Sequence, residues 1–218
     1  GMVRQTERLA VGSFTTAPRL ALLKLLAELA PGALKRTQLY SGGSEAVEAA
    51  IRLAKSYTKK FEVVGFWGGF HGKTGGVMGL IGDEWKQKWG PLAPGTHLVP
   101  YADCYRCPLG QTYPGCQVAC ADELERAILL AGPDTVSAFI AEPIIGTSAT
   151  GIVPVPEYYK KIRKICDQYD VLFIADEVLC GYGRTGQDFA IKGFGVEPDI
   201  ITAGKAVTSG YAPLSATI

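Results

Sequence analysis

The sequence predicts an α/β fold with a mostly parallel sheet sandwiched by helices. Two observations support this fold class. Short β-branched segments typical of strands alternate along the chain with segments that have the apolar spacing of amphipathic helices. Glycine clusters follow several of the predicted strands, where the chain has to turn. Parallel strands joined by helices are covered on both faces, which gives the predicted layered architecture.

Four segments predict helices. Residues Ala17 to Ala30 place leucines at helical spacing and are followed by Pro31-Gly32, a typical helix stop. Residues Glu45 to Lys60 have an alanine-rich helical pattern. Two further amphipathic patterns predict helices over residues 123–131 and 156–169.

Five hydrophobic segments predict strands, over residues 38–40, 63–66, 136–141, 171–175 and 199–203. Residues 83–121 interrupt this alternation, because tryptophans, prolines and cysteines occur there without a sustained helical or strand period. A segment of this length without secondary structure is usually functional, or it is stabilised by other means.

The composition fits one large globular domain of 218 residues, with 47% hydrophobic and 20% charged residues. The 22 Lys and Arg residues nearly balance the 21 Asp and Glu residues, so no basic field attracts nucleic acid or acidic lipid. No apolar run approaches the roughly 18 residues that span a bilayer, and the N-terminus has no hydrophobic signal-peptide region. We therefore expect a cytoplasmic protein with no nucleic-acid or membrane partner.

A glycine turn between a predicted strand and a predicted helix suits a phosphate group. It runs from Ser41 through Gly42, Gly43 and Ser44 to Glu45. Free backbone N–H groups and the positive end of the helix dipole meet at such a turn, and the Ser44 hydroxyl adds a donor. The alternative interpretation is that Ser44 simply caps the helix.

Two charged residues come directly after predicted strands. Asp176 follows the hydrophobic strand 171–175, at the sheet edge where open α/β proteins bind ligands. Lys205 follows the strand 199–203 and lies beside Gly204. A lysine in a poorly solvated site can form Schiff bases. The alternatives are a turn-capping carboxylate and a solvent-exposed loop lysine.

The phosphate turn, the aspartate and the lysine are the groups needed to hold pyridoxal phosphate (PLP) by its phosphate, ring nitrogen and aldehyde. Ordered segments of the chain resemble the class III (ω-amino acid type) aminotransferases of fold type I, from about Ser13 to the end. The matching segments are 41–48, Phe70-His71-Gly72-Lys73-Thr74, Glu142-Pro143, Asp176-Glu177-Val178, 181–186, 202–206 and 210–215.

This resemblance implies roles for individual residues. Lys205 would form the internal aldimine with PLP and then move the proton between the substrate α-carbon and the cofactor. Asp176 would pair with the pyridine nitrogen and keep it protonated, which makes the ring an electron sink. Gly43 and Ser44 would hold the phosphate, and Val178 would pack on one face of the ring.

Four further residues carry less specific expectations. Phe70 would stack on the other face of the ring, although an isolated aromatic residue is more often part of a core. His71 is as readily a structural histidine as a catalytic one. Glu142 resembles the family's active-site glutamate, with a buried hydrogen-bonding carboxylate as the alternative. Arg184 is expected to secure the loop after the aspartate.

Two positions depart from the family pattern. Thr147 stands where many relatives that use ω-amino acids with 2-oxoglutarate have a glutamate, so their arginine switch is not expected here. Gly42 replaces the usual serine of the phosphate turn. The expected reaction is transamination of an amino acid or ω-amino acid, such as 4-aminobutyrate or ornithine, with a 2-oxo acid. Decarboxylation or racemisation by the same residues is the alternative.

The chain is short for this family, whose members are about twice as long. Residues 1–12 are interpreted as an N-terminal tail, with Gly1 as a remnant of expression. Residues 13–218 are interpreted as the PLP-binding large domain, without the N-terminal segment and the C-terminal small domain. The full-length protein is expected to be a homodimer. A cofactor-binding fragment without turnover is the alternative function.

Four cysteines in the interrupted segment have the spacing Cys-x2-Cys-x8-Cys-x3-Cys: Cys104, Cys107, Cys116 and Cys120. Four thiolates at such a spacing can bind one tetrahedral zinc ion or an iron–sulfur cluster. The alternative is reduced, partly buried thiols, because free cysteines are often buried and disulfides are rare inside cells. The sequence assigns no metal, and these residues are candidates only. Cys166 and Cys180 are expected to be buried thiols.

Overall fold

The sheet and the helices form the α/β architecture that the sequence predicts. The computed structural model describes residues 15–82, 84–146 and 148–218. The predicted tail over residues 1–12 and the predicted role of Thr147 lie outside these ranges. The helices are α1 (Ala17–Leu29), α2 (Gly43–Thr58), α3 (Asp122–Ala131) and α4 (Glu157–Gln168). The strands are β1 (Gln38–Tyr40), β2 (Glu62–Phe66), β3 (Thr96–Val99), β4 (Val136–Ala141), β5 (Leu172–Glu177), β6 (Ile200–Ala203) and β7 (Ser215–Thr217).

The seven strands form one sheet in the order β1-β7-β6-β5-β4-β2-β3. Strands β2 to β6 pair in parallel with one another. Strand β7 is antiparallel to both of its neighbours, β6 and β1. Strand β1 therefore runs in the same direction as β2 to β6. The carboxyl ends of these six strands consequently lie at one edge of the sheet, where the predicted site residues follow them.

Both faces of the sheet are buried. On one face, α2 packs small side chains such as Ala50 and Ala54 against Ile140 and Ile174. On the other face, Phe139 contacts the rings of Phe66 and Phe173 at centroid distances of 5.3 and 5.9 Å. All six residues of β4 are buried, as expected for a central strand of a parallel sheet.

The segment 83–121 contains more regular structure than the sequence pattern predicts. Strand β3 lies within it, at the sheet edge beside β2. The segment also contains 3₁₀ helices at Glu84–Lys88 and Ala119–Ala121. Other 3₁₀ helices lie at Met78–Leu80, Ala190–Phe194 and Lys205–Thr208. None of the helices in the described ranges has the length and apolarity needed to cross a membrane.

Candidate active site

A cleft of about 300 Å³ lies at the carboxyl edge of the sheet. Loops after β1, β2, β4, β5 and β6 contribute to it. All eight residues predicted to bind a cofactor or to act in catalysis line this cleft: Gly43, Ser44, Phe70, His71, Glu142, Asp176, Val178 and Lys205. The structure therefore places residues from distant parts of the sequence around one cavity, while their roles toward a cofactor stay predictions.

Asp176 lies near the carboxyl end of β5 and is only 2% exposed. Its Oδ2 atom is 2.6 Å from Nδ1 of His71. Its Oδ1 atom accepts hydrogen bonds from the Thr202 hydroxyl at 3.0 Å and from the Val178 N–H at 3.1 Å. Thr202 is the register partner of Asp176 on β6, which explains this contact. Three partners thus compensate the buried carboxylate for its lost hydration.

His71 is as buried as the aspartate it contacts. Burial lowers its pKa, but the hydrogen bond and charge of Asp176 and the charge of Glu142 outweigh that effect, so the pKa of His71 is raised. Its Nε2 atom is buried without a hydrogen-bond partner among the described residues. Gly69 lies close beside the ring. A Cβ atom at this position would be 3.0 Å from Nε2, so the ring has room only because residue 69 is a glycine.

Glu142 follows β4 and holds the loop that contains Phe70. Its Oε1 atom accepts the Phe70 N–H at 2.9 Å, and its Oε2 atom accepts the Gly146 N–H at 3.4 Å. Burial raises its pKa; the charge of His71 opposes this shift, and the charge of Asp176 adds to it. The expected buried carboxylate is therefore present, and it lies on the cleft wall.

Helix α2 begins at the glycine turn. Its N-cap residue is Gly42, so the alternative interpretation of Ser44 as the N-cap is wrong. The side chain of Glu45 accepts the N–H groups of Ser41 and Gly42, both at 2.9 Å. The Ser44 hydroxyl is instead turned toward the loop after β2, where it accepts the Lys73 N–H at 3.1 Å. The amide groups of the first helical turn and this hydroxyl suit an anion.

Glycines allow close packing around this turn. A Cβ atom at Gly43 would lie 2.9 Å from Cγ1 of Val178. A Cβ atom at Gly72, which has a φ of +121°, would lie 2.2 Å from the Ser44 hydroxyl oxygen. Any larger residue at either position would displace a wall of the cleft.

Lys205 is the first residue of a 3₁₀ helix that follows β6. Its φ of +40° lies in the left-handed region that residues with side chains seldom adopt. Such backbone strain is concentrated at functional sites. A second lysine, Lys73, also lines the cleft, with its Nζ atom 6.0 Å from the centre of the Phe70 ring.

The donor set of the cleft fits PLP. A helix N-terminus with a hydroxyl suits its phosphate, the buried carboxylate of Asp176 suits a protonated ring nitrogen, and the amine of Lys205 suits its aldehyde. The close glycine contacts around Ser44 and Val178, and the buried Nε2 of His71 without a partner in the described ranges, make this cavity closely packed and polar.

The pattern of the sequence does not reveal every residue of this site. Thr202 follows from strand pairing alone, since it faces Asp176 only in the observed register. Glu177 is fully buried and accepts the N–H groups of Ala190 at 3.0 Å and Ile191 at 2.8 Å. Arg184 donates to the Leu179 carbonyl at 2.7 Å, in the loop after Asp176, as expected.

The six cysteines are absent from the lining of the cleft among the described residues. Cys166 and Cys180 are buried free thiols. The four spaced cysteines line a separate, smaller cavity. Across residues 15–82, 84–146 and 148–218, no three His, Cys, Asp or Glu side chains are already arranged to hold a metal ion.

Comparison with known proteins places the chain in a family. Residues 2–218 match the family described as Aminotransferase class-III. A probable aminotransferase of Mycobacterium tuberculosis is 41% identical, over 94% of this chain and 45% of that protein. The leucine/methionine racemase of Thermococcus litoralis is 36% identical, over 98% of this chain and 49% of that protein.

The fold has counterparts among solved structures. The crystal structure of the omega transaminase from Pseudomonas jessenii in complex with PMP matches with a TM-score of 0.91 and 32% identity, over 99% of this chain and 50% of that chain. The chain thus spans about half the length of the proteins it matches. It belongs to the class III aminotransferases, and its fold is that of the fold type I PLP-dependent transaminases.

Proposed function

We propose that residues 13–218 form the PLP-binding large domain of an enzyme that transfers an amino group from an amino acid or ω-amino acid to a 2-oxo acid. The observation that carries this proposal is the convergence of Lys205, Asp176 and the start of α2 on one cleft. Each group alone has a structural explanation. Together they match the three parts of PLP that a transaminase must hold.

Bound PLP supplies an electron sink for the pair of electrons left when the substrate α-proton departs. Ser44 and the first amides of α2 hold the phosphate. Asp176 keeps the ring nitrogen protonated, because an adjacent carboxylate favours a cation. Lys205 would hold the aldehyde of PLP, and its amine would be the group that accepts the α-proton of the substrate.

The remaining residues position these groups. Val178 packs beside the phosphate turn and would cover one face of the cofactor ring, and Phe70 would cover the other. Glu142 fixes the loop that carries Phe70 by accepting its N–H at 2.9 Å. His71 and Thr202 hold the two oxygens of Asp176, which fixes the direction in which this carboxylate acts.

A second reaction is supported by one relative, a leucine/methionine racemase. Racemisation requires the same proton removal from the α-carbon, followed by return of a proton to the opposite face, and no 2-oxo acid acceptor. The two reactions therefore differ in products and not in the residues described above. We favour transamination because the matched family is named for it.

The proposal extends to the complete protein. We infer that the complete protein is a cytoplasmic homodimer. In this protein, polypeptide beyond the present chain supplies the contacts to the substrate carboxylate. The part of this proposal that concerns further polypeptide is supported by the comparisons, because this chain covers only about half of each matched protein. Large apolar side chains such as Tyr211, which is 87% exposed shortly after Lys205, are also available for contacts with further protein.

A half-reaction assay tests the function. The complete reading frame and the chain of 218 residues are each incubated with PLP and with 4-aminobutyrate, ornithine, alanine or leucine, and PMP and 2-oxo products are quantified. The complete protein is expected to form PMP, whereas the isolated chain is expected to bind PLP without turnover. Inversion of leucine without PMP would favour the racemase, and catalysis by the isolated chain would contradict its incompleteness.

Two variants link the assay to the cleft. Asp176→Asn keeps the shape of the side chain and removes its charge, so we expect the rate to fall by more than about a hundredfold, or roughly 3 kcal/mol. Asp188→Asn is the matched control, because Asp188 is partly exposed and pairs with Lys192 outside the cleft. A loss of less than about tenfold in a folded Asp176→Asn protein would contradict the ring-nitrogen role.

A further inference from the structure

Four cysteines line a second cavity that the proposed function does not use. Cys104, Cys107, Cys116 and Cys120 surround a space of about 20 Å³. Among the described residues, none lines both this cavity and the active-site cleft. All four are free thiols, one exposed and three partly buried. Most of the other lining residues are apolar, including Leu109, Val118 and Val155. A cluster of four soft ligands is thus set in apolar surroundings and open to solvent on one side.

The first pair of cysteines lies on a tight turn. Asp103 accepts the N–H groups of Tyr105 at 2.9 Å and Arg106 at 3.1 Å through the same Oδ1 atom. These bonds fold the two residues between Cys104 and Cys107 back on themselves. Both cysteines consequently border the same cavity.

The second pair lies on a strained segment. Gln117 and Val118 both have positive φ values, +50° and +59°. Such a value is uncommon for any residue other than glycine and is rarer still for a β-branched residue such as Val118. The Lys161 ammonium donates to both of their carbonyl groups, at 3.2 and 3.4 Å. This conformation brings Cys116 to the same side as Cys120.

We propose that this four-cysteine loop is a structural site for one thiolate-preferring divalent cation of the zinc class. Three independent features support this site: the cysteine spacing, the shared cavity and the two fixed turns. The cavity has room for about one ion. In the described ranges the thiols do not already converge as a metal cage, so binding requires rotation of their side chains. Each ligating thiol gives its proton to solvent and binds as a thiolate.

The test uses the chain of 218 residues. The protein is purified without chelator, its metal content is measured by mass spectrometry, and metal-stripped protein is titrated with Zn²⁺ against a chromophoric chelator. We expect one zinc per chain and protection of four thiols from an alkylating reagent. Replacement of zinc by Co²⁺ should give the intense visible absorption of tetrahedral thiolate coordination.

Variants locate the site. Cys107→Ser and Cys116→Ser, one from each pair, should each weaken zinc binding by at least about tenfold. Cys180→Ser is the matched control, because its thiol donates to the Ile144 carbonyl outside the cavity. Uptake of well under one zinc per chain by folded wild-type protein would overturn the proposal. So would zinc binding that survives in both variants, a disulfide within the loop, or an iron–sulfur cluster in place of a single ion.

Discussion

Nδ1 of His71 lies 2.6 Å from Oδ2 of Asp176, and both side chains are buried beside the cleft. The carboxylate raises the pKa of the imidazole, against the effect of burial. A protonated cofactor nitrogen placed against the same carboxylate would therefore meet a second cation. Two cations that share one carboxylate repel each other, so we expect cofactor binding and the protonation of His71 to be coupled.

This coupling predicts a pH effect that a purely structural histidine would not produce. PLP affinity of the wild type, relative to His71→Asn, should increase by about tenfold as pH rises through the raised pKa of His71. The asparagine keeps a donor near Asp176 and does not titrate. Binding titrations over a pH series measure the ratio. His97→Asn is the control, since His97 pairs with Glu62 on the far strands of the sheet. Identical pH profiles for wild type and His71→Asn would contradict the coupling.

We expect the titration of Glu177 to affect the stability of the fold and not the affinity for the cofactor. Burial raises the pKa of its carboxyl group to about 7, against the two backbone N–H groups that it accepts and with the charge of Asp176. Because the folded-state pKa is raised from 4.5, its contribution to stability is fully present below pH 4.5 and is lost as pH rises through about 7.

The variant Glu177→Gln removes this titration. The variant is expected to be less stable than the wild type, because a buried acceptor of two N–H groups is altered. The difference in unfolding free energy should shrink by up to about 3 kcal/mol between pH 4.5 and 7. Denaturant unfolding at each pH measures it. A difference that is independent of pH would show that Glu177 does not titrate in this range.

We expect any side chain at position 43 to cause a steric conflict at the phosphate turn. Gly43→Ala places a Cβ atom 2.9 Å from Val178, so either the turn or the valine must move. Overpacking of this kind costs about 1–3 kcal/mol, and we expect PLP affinity to fall by about tenfold or more. The control is Gly193→Ala, where a Cβ atom would meet nothing within 4 Å. Equal PLP affinities of these two variants, measured by fluorescence titration, would remove the turn from the cofactor site.

The central strands could be predicted from the sequence, whereas β7, which lies between β1 and β6, could not. Strands β4 and β5 are mostly hydrophobic because they lie in the centre of the sheet, where both of their faces are buried. Strand β7 has only the residues Ser-Ala-Thr and no hydrophobic signal. Its position depends on pairing with β1 and β6 and on hydroxyl bonds from Ser215 to Gly42 and from Thr217 to Ala46.

The same distinction applies to the site. Asp176 and Lys205 could be found because each follows a strand and belongs to a recognisable motif. The contact of Asp176 with Thr202 depends on the register between two strands, which a single sequence does not encode visibly. The choice of Gly42 over Ser44 as the helix cap likewise depends on a competing contact, because the Ser44 hydroxyl accepts the N–H of a loop 29 residues away.

Covalent trapping tests whether Lys205 is the residue of this cleft that binds PLP. The protein is incubated with PLP, reduced with borohydride and digested, and the modified peptide is sequenced by mass spectrometry. We expect a pyridoxyl group on Lys205 and none on Lys73, the other lysine of the cleft wall. Lys205→Ala should lose the modification while the fold is retained. A pyridoxyl group on Lys73, or undiminished specific labelling of Lys205→Ala, would contradict the assignment.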